Sequence, residues 1–160
     1  MADSSILTHK YEYRRRMPHY QLAGRPIFVT FCRLMRDPFS DAARDLILRH
    51  CMHDHRKRID VEAAVVMPDH VHLLLSPLPD DQGMPHSLPF ILKLIKGMSA
   101  RSVNKLSGIS GPVWQEESFD HVVRSEKSFQ EKLEYLRQNP VRRGLVAKPE
   151  DYRWLWVAPK

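Results

Sequence analysis

Cysteine is nearly absent: Cys32 and Cys51 are the only two in 160 residues. They lack the paired spacing of a zinc knuckle or a disulfide framework, so the chain is no cysteine-stapled scaffold, and a reducing cytoplasm is the compartment that fits. Apolar runs of the ~18 residues that cross a bilayer are missing as well. No cleavable apolar segment opens the sequence, so neither membrane spanning nor export is expected. No internal repeat is visible and no second domain separates; a single domain over residues 1–160 is long enough to bury its own core. The last absence is of negative charge. From Gln82 to Gln115 there is no Asp or Glu, while Lys93, Lys96, Arg101 and Lys105 all fall inside. In a chain of net charge +6 and pI near 9.5, that gap predicts a positive surface region and a polyanionic partner.

What is present begins with an arm. Residues 1–26 are polar and basic, with Lys10, Arg14, Arg15, Arg16 and Arg25 interleaved with Tyr11, Tyr13, His19 and Tyr20. Arginines supply phosphate contacts and aromatic rings stack on unpaired bases, so this arm suits nucleic acid; a solvated tail is the plainer reading. Ile27 to Cys32 follows as a first strand. Ser40 caps a helix expected to run to about Arg58, with Ala43, Leu46, Ile47 and Cys51 as its inward stripe. Its end gathers His50, Cys51, His53, Asp54 and His55. That cluster suggests zinc, but cations at a helix C-terminus are expected from the dipole and the Cys-His set is incomplete.

A strand pair from Val61 to Ser76 comes next, then a loop rich in Pro and a helix from Ser87 to about Leu106. Ile91, Leu94, Ile95 and Met98 recur at helical spacing as its core face. This leaves Lys93, Lys96, Arg101 and Lys105 on the solvent side, where a phosphate backbone would be met. Val113–Gln115 and Phe119–Arg124 read as short strands. Ser125 caps a last helix from Glu126, with Phe129, Leu133 and Leu136 toward the sheet.

Two places in this order carry chemistry. In Met67-Pro68-Asp69-His70-Val71-His72-Leu73-Leu74-Leu75, Pro68-Asp69 suits the centre of a tight turn. Strand alternation then sends His70 and His72 to one face and Val71, Leu73 and Leu75 to the other. Two imidazoles on a rigid support suit a divalent metal, although a half-exposed strand could carry two histidines for no such reason. In the last helix Tyr135 and Asn139 are four apart and share a face if the helix is continuous. Pro140 leaves a second reading open, in which Asn139-Pro140 starts a new short turn ending at Gly144 and the amide serves backbone N–H groups. Tyr135 could likewise be an amphipathic core residue with its hydroxyl at the edge.

Taken together, these motifs resemble the REP-associated tyrosine transposases, relatives of the single-tyrosine HUH transposases. The resemblance spans most of the chain. It rests on Arg14-Arg15-Arg16 with Pro18-His19, Phe28-Val29-Thr30-Phe31, Val66-Met67-Pro68-Asp69-His70-Val71-His72, Trp114-Gln115, Phe119-Asp120-His121, and Tyr135 followed by Asn139-Pro140-Val141-Arg142-Arg143-Gly144-Leu145-Val146. It implies an α+β, ferredoxin-like antiparallel sheet with the histidine pair on a central strand and the tyrosine on a helix facing it. It further implies His70, His72 and Asn139 as metal ligands and Tyr135 as the nucleophile. Mg²⁺ or Mn²⁺ suits mixed N and O ligands with open positions better than a closed zinc site does. Where relatives commonly carry Asn, this chain has Asp69, which alters the turn and adds a carboxylate near the metal.

The activity so implied is cleavage of single-stranded DNA at a repeat hairpin. A phenol ionises near pH ~10, so its attack on a phosphodiester at neutral pH needs help. A divalent ion polarising a non-bridging oxygen supplies that help. The product is a 5′-phosphotyrosine and a free 3′-hydroxyl, and attack by the hydroxyl of another strand completes strand transfer. The candidate DNA contacts are the Arg14, Arg15 and Arg16 arm, Lys93, Lys96, Arg101 and Lys105, and Arg142 with Arg143. Asp120 and His121 either orient the site or close a strand end. The expected setting is the bacterial cytoplasm near the nucleoid, as monomer or homodimer. Two rivals remain: a catalytically silent regulator that binds DNA hairpins, and a metal-dependent hydrolase of a small molecule.

Overall fold

The computed structural model describes the backbone of residues 10–13 and 19–22 and all of residues 25–160. Arg14, Arg15 and Arg16 lie outside the described residues. The arm contributes an antiparallel pair, β1 (Lys10–Tyr13) and β2 (His19–Leu22), with Lys10 opposite Leu22.

Six elements then follow in the order β3 (Ile27–Arg33), α1 (Asp41–Met52), β4 (Ile59–Val66), β5 (His70–Pro77), α2 (Leu88–Ser107), β6 (Trp114–Val122). Helix α3 (Glu126–Arg142) and a short strand β7 (Leu155–Val157) complete the chain. The five-stranded antiparallel sheet runs β6-β3-β5-β4-β7. Within it the βαββαβ unit is interleaved so that β5 pairs with β3 and β4, the split arrangement of ferredoxin-like folds. The central place of β5 explains its apolar run: Val71, Leu73, Leu74 and Leu75 are all buried.

The sheet is covered on both faces. Trp114 on β6 packs its ring against Phe31 at 4.7 Å and donates from Nε1 to Ser99 Oγ of α2 at 3.0 Å. Helices α1 and α2 therefore share the Phe31 and Val71 face, tied to each other by His50 Nε2 and Ser102 Oγ at 2.7 Å. Helix α3 packs on β4 and β5 from the opposite side. Each helix starts on the expected cap: Ser40, Ser87 and Ser125 accept from the backbone N–H three residues on. Gly108 closes α2 in the left-handed conformation (φ 68°), as C-terminal glycines do.

Three expectations change. Helix α1 stops at Met52 rather than near Arg58, because the Asp54 carbonyl gathers the N–H groups of Lys57, Arg58 and Ile59 in a tight turn. In and beside that turn each histidine has a partner. His50 bonds Ser102, His53 faces Asp54 at 3.1 Å, and His55 Nδ1 accepts from the Val61 N–H at 3.0 Å. Burial pushes the Cys51 thiol up to about 12. No three of His, Cys, Asp and Glu gather around a metal position among the described residues. Next, β6 is one continuous strand through Glu116-Glu117, joined to β3 across an irregularity near Phe31 and Arg33. Finally, the buried stripe of α2 is Leu88, Ile91, Leu92, Ile95, Ser99 and Val103, with Leu94 and Met98 only half-buried.

Candidate active site

The turn from β4 to β5 is closed by the Met67 N–H donating to the His70 carbonyl at 2.8 Å, with Pro68 and Asp69 as its central residues. Alternation along β5 then carries His70 and His72 to the α3 side. Direct strand neighbours place Cys32 beside His70, and Thr30 and Val65 beside His72.

These neighbours fix the imidazoles. His70 Nδ1 lies 2.7 Å from Asp69 Oδ1. Burial by itself would raise the Asp69 carboxyl, but the His70 hydrogen bond and charge, with Arg143 at 3.8 Å, hold it below its ordinary value. An ionised carboxylate only accepts, so Nδ1 of His70 donates to it, and Nε2 is turned toward His72. His72 Nδ1 sits 2.7 Å from Thr30 Oγ1. His72 is 5% exposed. Burial, then the charges of His70, Arg142 and Lys132, lower it to about 3, so it is neutral at physiological pH.

Helix α3 supplies the other half. It runs unbroken through Pro140; Gly144, at φ 72°, donates to the Val141 carbonyl just beyond its end. Tyr135 and Asn139 therefore share one face, and the alternative of a separate turn at Asn139-Pro140 does not form. The Asn139 amide points at the sheet rather than at backbone N–H groups: its Nδ2 is 3.3 Å from His72 Nε2, which is itself 3.1 Å from His70 Nε2. Asn139 is 6% exposed and its Oδ1 is buried without a hydrogen-bond partner.

Tyr135, 43% exposed, sets its ring edge-on to His72 at 5.5 Å and to Phe28 at 5.9 Å. Phe28 in turn stacks on His72 at 5.3 Å. The Arg142 guanidinium lies 4.3 Å from the Tyr135 ring centre and donates to the Tyr135 carbonyl at 2.9 Å. Lys132 Nζ stands 5.0 Å from the Phe28 ring. The roles of Phe28 and Thr30 were not read from sequence; their period-two spacing on a strand next to the histidines is the signal that could have found them.

Two imidazole nitrogens and an amide with an orphaned oxygen thus converge from β5 and α3. This donor set fits a divalent cation once a half-turn of the amide brings Oδ1 to the place of Nδ2: two nitrogens, one hard oxygen, and ring orientations already fixed by Asp69 and Thr30.

The remaining sequence-derived residues are dispersed. Lys93, Arg101 and Lys105 are exposed on α2, across the sheet from Tyr135. Lys96 departs from the expected solvent side: its Nζ donates to the Gln115 carbonyl at 2.8 Å and to Ser118 Oγ at 3.0 Å, bracing β6. Arg143 is exposed beside Asp69. His121 pairs with Phe28 on the α3 face of the sheet, whereas Asp120 pairs with Val29 on the other. The two cannot act as one unit on the site.

No protein-family model matches the chain. A curated Haemophilus influenzae protein, provisionally named a REP-associated tyrosine transposase, is 25% identical over 95 residues, covering 56% of this chain and 54% of that protein. The match thus spans about half the length of this curated relative. Among solved structures, a REP-associated tyrosine transposase bound to a REP hairpin superposes with a TM-score of 0.68 at 23% identity, over 91% of this chain and 81% of that one. This likeness shows the fold. A provisionally named Deinococcus radiodurans transposase gives a TM-score of 0.48 at 22% identity, over 82% of this chain and 93% of that one, too low to add to the argument. In sequence and in fold the chain resembles the REP-associated tyrosine transposases.

Proposed function

We propose that this chain is a metal-dependent single-stranded DNA endonuclease and strand transferase, a transposase acting at repeat hairpins through a 5′-phosphotyrosine. The observation that carries the reading is the convergence of His70 Nε2, His72 Nε2 and the Asn139 amide beside the exposed ring of Tyr135. The hairpin-bound solved relative supports the choice of substrate class.

His70, His72 and Asn139 would hold Mg²⁺ or Mn²⁺, which when bound polarises a non-bridging phosphate oxygen and offsets transition-state charge. Tyr135 is oriented by its edge contacts with His72 and Phe28, while Arg142 and Lys132 bring positive charge to where a phosphate would lie. In the cleavage step the Tyr135 Oη–P bond forms as the P–O3′ bond breaks. The phenolic proton is released, and the departing oxygen takes up a proton to become a 3′-hydroxyl. The phosphodiester survives as a phosphotyrosine ester, so a second strand's hydroxyl can reverse the exchange without a nucleoside triphosphate. Neutral His72 keeps its nitrogen lone pair at physiological pH.

The test is covalent transfer. Hairpin DNA with a single-stranded flank, labelled at its 3′ end, is incubated with protein and Mn²⁺, denatured, and examined for labelled protein, with Tyr135→Phe and His70→Ala/His72→Ala alongside. An adduct in the parent and in neither variant is the expected result. Cleavage without an adduct would move the reading to hydrolysis by water. Metal-independent binding without cleavage would make the chain a hairpin-binding regulator.

A further inference from the structure

We infer that Phe119 is a stacking platform for an unpaired base next to the scissile phosphate, an inference that rests on the DNA-cleaving reading of the neighbouring site. Ferredoxin-like sheets can receive single strands on the face away from their helix pair, where exposed aromatic side chains stack on bases. Here α3 lies on β4 and β5 of that face. The β3 and β6 side carries two cross-strand rows that lead outward from the site. One runs from His72 through Thr30 to Phe119, the other from Leu74 through Phe28 to His121.

Two strand spacings put Phe119 about 10 Å from His72, within reach of nucleotides adjoining a phosphate held there. Phe28 is buried between Tyr135 and His72, so its ring is already engaged. Phe119 is 55% exposed, whereas Ser118 and Val122 of the same strand are buried. A large apolar side chain exposed on an edge strand invites aggregation, which edges ordinarily counter with charge.

Charge selects the occupant. Lys132 and Arg142 border the rows on the α3 side, and β2, from the basic arm, adjoins β6. An exposed ring at the end of rows whose inner end is bordered by Lys132 and Arg142 matches a base carried on a phosphate backbone, since every base offers a π face and every linkage a negative charge.

The test is an abasic scan. A hairpin DNA probe with a single-stranded flank is prepared with each flank nucleotide replaced in turn by an abasic residue. Its binding by Tyr135→Phe protein, which leaves the probe uncut, is followed by fluorescence anisotropy. Phe119→Ala is expected to weaken binding about tenfold, and Phe119→Trp to restore it. One abasic position should cost a similar factor with Phe119 present and nothing further with Phe119→Ala, because the two changes remove the same contact. Unchanged affinity of Phe119→Ala, or abasic penalties that add to it at every position, would overturn the inference. So would a concentration-dependent dimer that Phe119→Ala abolishes without effect on DNA. The covalent-transfer assay separates this inference from the reading beneath it. An adduct without coupling at Phe119 removes the platform alone, and coupling without an adduct removes the cleavage chemistry alone.

Discussion

Asn139 and His72 meet with 3.3 Å between Nδ2 and Nε2, although 67 positions separate them in the chain. The contact pins the exposed tyrosine helix to the middle strand of the sheet. The same amide leaves Oδ1 buried and unpartnered, a state that costs about 1–3 kcal/mol.

Replacing this amide separates stability from metal binding. In chelator, Asn139→Ala should unfold within about 1 kcal/mol of the parent, because the lost contact is offset by removal of the orphaned oxygen. Its Mn²⁺ affinity should fall about tenfold or more, read by calorimetric titration. Equal affinity in parent and variant would take Asn139 out of the ligand set.

In the proposed metal site, Asp69 would act on the ion through His70. The 2.7 Å bond from His70 Nδ1 fixes the ring so that Nε2 faces the site. Asp69→Asn can offer an amide donor as well as an acceptor, so the ring's tautomer is no longer enforced. A loss of about 10-fold in Mn²⁺ affinity is expected, with little change in thermal midpoint. A variant that binds Mn²⁺ as the parent does would show that the carboxylate serves only the turn.

Acid should weaken the metal-free protein partly through His72. Unfolded, this ring takes a proton near its ordinary 6.5; folded, it resists until about 3. Between those values the unfolded chain holds the extra proton, so stability falls as pH falls and the contribution is lost entirely below about 3. The sum is on the order of 5 kcal/mol. Asp69, held low in the fold, pulls in the same direction. The comparison that isolates His72 is therefore parent against His72→Gln, melted in chelator from pH 7 downward, with the variant expected to show the shallower decline.

Lys96 and Lys93 should behave as opposites despite sharing a helix. Lys96 is bonded to the backbone and a side chain of β6, so Lys96→Ala is expected to destabilise by about 1–3 kcal/mol. Lys93 is exposed, so Lys93→Ala should leave the melting temperature unchanged. If α2 lies along DNA, Lys93→Ala lowers the salt slope of binding by about one.

The histidine strand and the tyrosine helix were legible because their information is local: period two puts His70 and His72 on one face, and a four-residue step aligns Tyr135 with Asn139. Pro140 made the helix ambiguous, since a proline beyond the first turn removes an N–H and crowds the carbonyl four residues back, and so ordinarily ends a helix, whereas α3 continues to Arg142. The neighbours that complete the site were not legible. That Thr30 and Phe28 flank His72 follows from β5 lying between β3 and β4, a pairing across the chain that no local pattern specifies. The extent of β6 was hidden for a similar reason. Its charged centre lacks a strand pattern and is held by Lys96 from another element. The early end of α1 came from Asp54 drawing three N–H groups into a turn, which its apolar stripe could not foretell.

The separation between His72 and Asn139 also sets a clock. At ordinary translation speeds of ~5–20 residues per second, the 67 positions between them take roughly 3 to 13 seconds to synthesise. Throughout that interval the growing polypeptide already carries its imidazole pair but has no complete tyrosine helix to set against it. A site of the proposed kind with this layout stays incomplete until the tyrosine helix has been made and docks on the histidine strand.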